Sequence, residues 1–357
     1  MKVFLLSVGD PIVGEILLDE ENRLCMKCFN DGLEHMYMKK DVINFTTQMM
    51  SLIDSGLDLE YGLLTQRKSI SALVKAGINL RRVIKEKKIE LVHVHWGVTA
   101  SLMAVMSSRV PVVISFCGSD LYGSVQRNGG KGLSAKVAGF MSQLSGLFAS
   151  RIIVKSDEML QNLWGPNKKK ATVIANGVDT TLFSPVDQQV ARKHLSWRMD
   201  KFYILFFTGG GSPVKDPALA HSAFSYVKQK IDGCELVLVE NIPYEELVWY
   251  YNAADVLLIT SLHEGSNNSL KEALSCNLPV VSVLCGDARE RLAQVDSCRV
   301  VEERTPESIG KALLEIITAK RRSNARHFIE DLNLEHVAAK VIDVYRSALR
   351  GHGPRNG

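Results

Sequence analysis

Two glutamates, Glu264 and Glu272, stand eight residues apart in Ser261–Pro279, SLHEGSNNSLKEALSCNLP. Carboxylates accept hydrogen bonds from vicinal hydroxyls, so the pair suits a long ligand with a sugar at one end and a ribose at the other. A strand ending at Thr260 runs into a polar loop and then a helix opening near Asn268. Asn267, Asn268 and Ser269 are all good N-cap types. The free N–H groups and positive dipole end of such a first turn bind an anion without any cofactor-specific side chain. Gly265 permits close backbone approach. From residue types alone, a capped surface helix with exposed glutamates is the commoner arrangement.

Two further segments could join this chemistry. Thr208–Lys215, TGGGSPVK, follows a strand and precedes a helix; Gly209 and Gly210 allow close approach and Lys215 supplies a cation. The spacing is not that of a P-loop nucleotidase. Val92–Gly97, VHVHWG, ends a strand with His93 and His95, which we expect on opposite faces of the sheet and therefore unable to share a metal. A hydrogen-bonded strand-end histidine is the commoner role for each.

The elements that must position these residues alternate in type. Apolar runs at Val3–Val8, Leu59–Leu64, Leu91–His95, Val110–Phe116, Arg151–Lys155 and Ala171–Ile174 read as strands. Helical periodicity separates them at Val42–Ile53, Ser69–Lys88, Thr99–Ser108, Ser134–Ala149 and Asp157–Trp164. Continuous β-branched strands between helices indicate a parallel sheet covered on both faces. The rhythm breaks at Asn176–Arg192, where Asn176-Gly177 reads as a hinge turn, and restarts at Tyr203–Thr208. The expected fold is α/β, with two Rossmann-like doubly wound domains facing a central cleft. The expected domains are residues 1–183, with a hairpin inserted at 14–28, then 184–335, with a helix at 336–350 returning to the first domain. Past Val300 the chain reads as mostly helical.

Composition narrows the class. The 357 residues are 46% hydrophobic and 23% charged, ordinary globular usage, with no run of about 18 uncharged apolar residues. Val3–Val8 is too short for a signal-peptide core, which leads us to expect a cytoplasmic protein. Seven dispersed cysteines read as reduced thiols; Cys25 and Cys28 form one CxxC with no second half to complete a zinc site. Residues 1–60 hold 5 basic and 11 acidic groups, whereas residues 61–136 hold 12 basic and 3 acidic ones. The basic segment 67–88 is either a solvated helix face or a patch facing anionic lipid or a phosphorylated substrate. No aromatic residues interleave with the charges, which disfavours nucleic acid.

The ordered signatures LVHVHWG, PVVISFCGSDL, SRIIVKS, VIANGVDTTLFSP, GGGSPVKD and ADVLLITSLHEGSNNSLKEALSCNLPVVS resemble those of the retaining glycosyltransferases of family 4, which have the GT-B fold. The resemblance covers about residues 90–350. It implies that Glu264 contacts the transferred sugar and Glu272 the ribose hydroxyls, with the backbone of Gly209, Gly210 and Gly265 and the amides of Ser266, Asn267, Asn268, Ser269 and Leu270 around sugar and diphosphate. Lys215 matches the lysine that neutralises the leaving diphosphate. The implied catalytic set is Glu264, Lys215, His95 and Asp120, with no metal and no cofactor other than the nucleotide diphosphate sugar as co-substrate. The implied acceptor is a glycan or lipid-linked molecule in surface polysaccharide assembly; the charge asymmetry, separately, leads us to expect peripheral membrane contact through 67–88.

Two departures stand out. Gly210 occupies the position of a family arginine, and Cys117 that of a histidine in HG-x-D, although Asp120 remains. A nucleotide-sugar 2-epimerase of the same fold, or a non-catalytic partner subunit, are the alternative readings.

Overall fold

The computed structural model describes residues 1–8, 14–18, 24–28, 52, 56–64, 70–123 and 132–351. These residues divide into two α/β units. One comprises residues up to 123, 132–175 and the chain from 337; the other comprises 176–336.

Along the first unit run β1 (Lys2–Val8), β2 (Gly14–Leu18), β3 (Leu24–Cys28), β4 (Asp58–Leu64), β5 (Leu91–His95), β6 (Val112–Ser115), β7 (Arg151–Val154) and β8 (Ala171–Val173). Six of them form a parallel sheet in the order β4-β1-β5-β6-β7-β8. The strand period of two sorts its residues between two cores. Phe4, Leu6, Val92, Val94, Ile114 and Ile152 face one way, onto Leu80, Ala100, Met103 and Ala104 of helices Ile70–Glu86 and Val98–Ser107. Val3, Leu5, Leu91, Val113 and Ile153 face the other way, onto Val337, Val341, Ile342 and Tyr345 of the C-terminal helix Leu334–Arg350. Each fully buried Leu, Ile or Val contributes about 1.5–3 kcal/mol, so both faces are needed to hold the sheet. β2 and β3 pair antiparallel from Gly14 opposite Cys28 to Leu18 opposite Leu24, the expected hairpin.

The second unit adds β9 (Phe202–Phe207), β10 (Cys234–Val239), β11 (Val256–Ile259), β12 (Val280–Val283) and β13 (Arg299–Val301), all parallel, in the order β10-β9-β11-β12-β13. The expected strands recur within a few residues. Three details differ. The helix expected to reach Trp164 stops at Gln161, and a separate turn, Gly165–Lys168, begins next to Pro166. The polar stretch ending at Arg192 contains a helix, Gln188–His194, whose first turn donates to the Asp187 carboxylate. β13 is a strand of three residues, too short to show periodicity. The helix expected at 42–53 lies, apart from Leu52, outside the described residues. Among the described residues no helix is long and apolar enough to cross a membrane.

Candidate functional site

The second unit carries the glycine loop. Gly209, Gly210 and Gly211 follow β9 with φ of 61°, 69° and 77°, a conformation that side chains other than glycine adopt only under strain. Three such residues in a row turn the chain into the short turn Pro213–Lys215. A Cβ on Gly209 would stand 3.2 Å from Lys215 side-chain carbons, so the loop wraps its own lysine. Thr260 Oγ1, just past β11, donates to the Lys215 carbonyl at 2.7 Å and ties the two strand ends together. Asp216 then caps helix Pro217–Lys228 by accepting from Leu219 N.

Lys215 Nζ donates to Glu264 Oε1 at 2.6 Å, and the same oxygen accepts from Ser261 Oγ at 2.7 Å and Asn267 Nδ2 at 3.1 Å. Burial alone would raise the Glu264 pKa; the charge of Lys215 and the hydrogen bonds from Lys215 and Ser261 outweigh it and hold the carboxyl below its usual value. The site is tight. A Cβ on Gly286, whose φ is 54°, would meet Glu264 Cβ at 2.9 Å.

Helix Asn268–Ser275 is not the surface helix that residue types favour: every residue from Ser269 to Ser275 is buried, including Lys271 and Glu272. Asn267 is its N-cap, accepting from Leu270 N at 3.1 Å. Of the five amides expected to meet a ligand, that of Leu270 is therefore already occupied. Ser266 Oγ donates to Asp287 Oδ2 at 2.9 Å and accepts from buried Lys271. Glu272 Oε2 accepts from the fully buried Tyr251 hydroxyl at 2.6 Å. The two glutamates are thus separately fastened, Glu264 in the loop and Glu272 two turns into the helix.

In the first unit, Asp120 is buried and accepts from Gly97 N at 2.8 Å, Cys117 N at 3.0 Å and Gly118 N at 2.8 Å. It locks together the turns that follow β5 and β6, as a positioning group. Burial raises its pKa against the pull of those amides. The turn after β5 is strained: Trp96 and Val98 have φ of 98° and 60°.

His93 and His95 do not face opposite sides. Their rings lie 4.1 Å apart on one face of the sheet, because residues two apart along a strand share a face. Both are buried and held neutral, His93 pushed down to about 3. Burial is the main cause in both, and the Lys155 charge adds to it. Cys117 is a thiol pushed up to about 12, mainly by burial. Among the described residues no cluster of three His, Cys, Asp or Glu side chains is placed to hold a metal ion.

Several residues escaped the sequence reading. Arg304 donates to Asp216 Oδ2 at 2.8 Å and to the carbonyls of Thr260 and Ser261, stapling the lysine loop to the glutamate loop. Asn176 does more than turn: its amide donates to Ser266 Oγ at 3.3 Å and its side chain to Asn268 Oδ1 at 3.1 Å. The Thr208 hydroxyl is buried with no partner among the described residues. Only Asn176, in its NGVD motif, carried a local signal.

Comparison with known proteins bears on both units. Residues 54–182 match the family model "Glycosyltransferase Family 4", and residues 190–319 match "Glycosyl transferases group 1". A D-inositol 3-phosphate glycosyltransferase from Segniliparus rotundus is 23% identical over 245 residues, 56% of this chain and 54% of the relative. The chain thus matches about half the length of such curated relatives. Among solved structures, a sucrose-phosphate synthase from Thermosynechococcus elongatus superposes with a TM-score of 0.76 at 16% identity, covering 98% of this chain and 99% of that one. Anabaena HepE, solved with UDP, gives 0.68 at 13% identity over 97% and 100%. At these identities the likeness concerns the fold.

Proposed function

We propose that this chain, which belongs to the family 4 glycosyltransferases of the GT-B fold, transfers a sugar from a nucleotide diphosphate sugar to an alcohol acceptor with retention of anomeric configuration. The observation that carries this reading is the meeting of Lys215 with Glu264 in the same unit as the buried, tyrosine-fastened Glu272.

The acceptor oxygen attacks the anomeric carbon on the face from which the diphosphate departs. The bond from that carbon to the phosphate oxygen breaks, and the acceptor proton passes to the departing oxygen. Lys215 and the first-turn amides of helix Asn268–Ser275 stabilise the charge that develops there. Glu264 positions the sugar and Glu272 holds the ribose hydroxyls. The unpartnered Thr208 hydroxyl lies in the same glycine loop and is a further donor for a phosphate oxygen.

A glycan or lipid-linked acceptor in surface polysaccharide assembly remains our reading; inositol 3-phosphate, named for the relatives, is one acceptor to assay. Contact with an anionic membrane surface is supported by helix Ile70–Glu86. Its Ile70, Val74 and Ile78 are 81%, 57% and 60% exposed beside Lys75 and Lys85. Exposed Leu133, Val137 and Phe140 lie on helix Leu133–Phe148, and helix Val98–Ser107 packs against both. Arg81 serves otherwise: it donates to the carbonyls of Met106 and Ser107 at the end of that middle helix. The lipid test is therefore Lys75, Lys85 and Lys88 to Gln together with Ile78→Glu, which should abolish pelleting with anionic liposomes; unchanged pelleting removes the membrane role.

The transferase reading is tested by thermal denaturation with UDP, GDP, ADP, dTDP and CMP, on wild type and Glu272→Ala. A ligand at a hundred times Kd stabilises by about 2.7 kcal/mol, enough to move the midpoint by several degrees. We expect one diphosphate to produce that shift and Glu272→Ala to lose it. No shift with any nucleotide overturns the reading.

A further inference from the structure

A second lysine lies behind the helix that carries Glu272. Lys271 is the fourth residue of helix Asn268–Ser275 and is fully buried, 0% exposed. Helical side chains lean toward the N-terminus. The Lys271 ammonium accordingly reaches back past the Asn267 cap and donates to Ser266 Oγ. The positive end of the helix dipole repels a cation in this place, and burial removes the water that would screen it. A lysine enclosed at a helix N-terminus is therefore unfavourable unless negative charge stands close by.

The protein supplies part of that charge. Asp287 is buried, and its Oδ2 accepts from Ser266 Oγ at 2.9 Å. The same oxygen lies 3.9 Å from Lys271 Nζ and 3.8 Å from Arg291 Nε, so one carboxylate faces two cations. Its other oxygen, Oδ1, is buried with no hydrogen-bond partner among the described residues. Ser266 Oγ accepts in addition from the Asn176 amide at 3.3 Å. The glycine loop, for its part, offers the single cation Lys215, which Glu264 already holds at 2.6 Å.

We propose that Lys271 is the second cation of this site, strengthening the field of the helix's first turn for the diphosphate of the donor, with Asp287 as the counter-charge that limits it. That the anion belongs to a nucleotide sugar rests on the transferase reading; the role of the two charges does not. Lys271 does not touch the ligand. It acts across the short distance from its ammonium to the backbone beside Ser266. The two charges then pull in opposite directions on a bound anion: losing the lysine weakens binding, and losing the aspartate strengthens it. A purely structural pair behaves otherwise, since either loss loosens Ser266 and weakens binding.

The test is calorimetric titration with inorganic pyrophosphate and with inorganic phosphate. Wild type is compared with Lys271→Met, Asp287→Asn, the double variant of these two, and Lys215→Met. Asn at 287 keeps an acceptor for Ser266 Oγ, and the double variant removes both members of the pair. Comparing it with Asp287→Asn isolates the lysine charge even if Lys271→Met alone fails to fold. We expect Lys271→Met to weaken pyrophosphate binding about tenfold and Asp287→Asn to tighten it several-fold, the effect of a unit charge at short range in a medium of low polarity. The double variant should bind about tenfold more weakly than Asp287→Asn. Each change is smaller for phosphate, which carries less charge. Lys215→Met should weaken pyrophosphate as well, placing it in this site. Weaker binding in both Lys271→Met and Asp287→Asn, equal affinity in Asp287→Asn and the double variant, no effect of Lys215→Met, or no binding to wild type overturns the proposal. UDP, GDP and ADP are titrated in a separate arm. If none binds while pyrophosphate follows the expected pattern, the transferase reading falls and the role of Lys271 stands.

Discussion

Lys215 Nζ stands 2.6 Å from Glu264 Oε1, so the cation suited to a leaving diphosphate is already held by a carboxylate of its own unit. An incoming phosphate must share Lys215 with Glu264. Removing the carboxylate charge should therefore separate binding from catalysis. We expect Glu264→Gln to bind the nucleoside diphosphate several-fold more tightly by calorimetry, through relief of charge repulsion, while sugar transfer falls by about 100-fold. Equal losses in binding and transfer would show that Glu264 serves the nucleotide and not the sugar.

The same pair gives an acid-side signature. The folded Glu264 carboxyl titrates below its ordinary value of 4.5, so its stabilising contribution is complete above that value and is lost as pH falls through the depressed one. Glu264→Gln should flatten the stability profile below about pH 4.5 and lower the plateau near neutrality by the contribution it removes. Chemical denaturation across that range is the measurement.

His93 titrates in the opposite chemical sense with the same outcome. Its folded pKa, pushed to about 3 mainly by burial, lies below its ordinary value of 6.5, so the unfolded chain binds the proton first as pH falls. Stability is full above 6.5 and declines below it, by about 2 kcal/mol at pH 5 from this one group. His93→Gln should shrink that decline, although it also breaks the bonds to Tyr345 and Ser115 and lowers stability at pH 7. An unchanged slope between pH 6.5 and 5 would mean that the ring charges in the folded state.

Tyr251 and Glu272 test the ribose contact proposed for Glu272. Removing the tyrosine hydroxyl leaves a buried carboxylate short of a donor, at a cost of about 1–3 kcal/mol. Tyr251→Phe should lower the melting midpoint by several degrees and weaken nucleotide binding modestly. Glu272→Ala should abolish nucleotide binding. If Tyr251→Phe leaves both midpoint and binding untouched, the 2.6 Å bond does not hold Glu272 in place.

Gly286 is the counterpart beneath Glu264. Alanine there must adopt a φ of 54° and place its Cβ 2.9 Å from Glu264 Cβ. The backbone alone costs about 1–2 kcal/mol, and the clash moves Glu264 off Lys215. Gly286→Ala should therefore lose transfer activity far more than nucleotide affinity, with circular dichroism near that of wild type. Full activity in this variant would show that the loop relaxes without disturbing the pair.

Local chemistry made much of this legible from the chain alone. Continuous apolar runs such as Leu91–His95, separated by helical periodicity, pointed to the parallel sheets, the Asn267 cap set the start of the helix carrying Glu272, and the triple glycine marked a turn no other residues make easily. Even the shared face of His93 and His95 was present in their spacing. Other features were settled only by contacts between residues far apart in sequence. Arg304 reaches Asp216 across 88 residues, Asn176 reaches Asn268 across 92, and His93 meets Tyr345 across 252. No periodicity encodes such pairings. Nor does composition say that Lys155, one of 43 lysines and arginines, is buried: burial of a side chain is decided by what the rest of the chain packs over it, here in part the C-terminal helix far along the sequence.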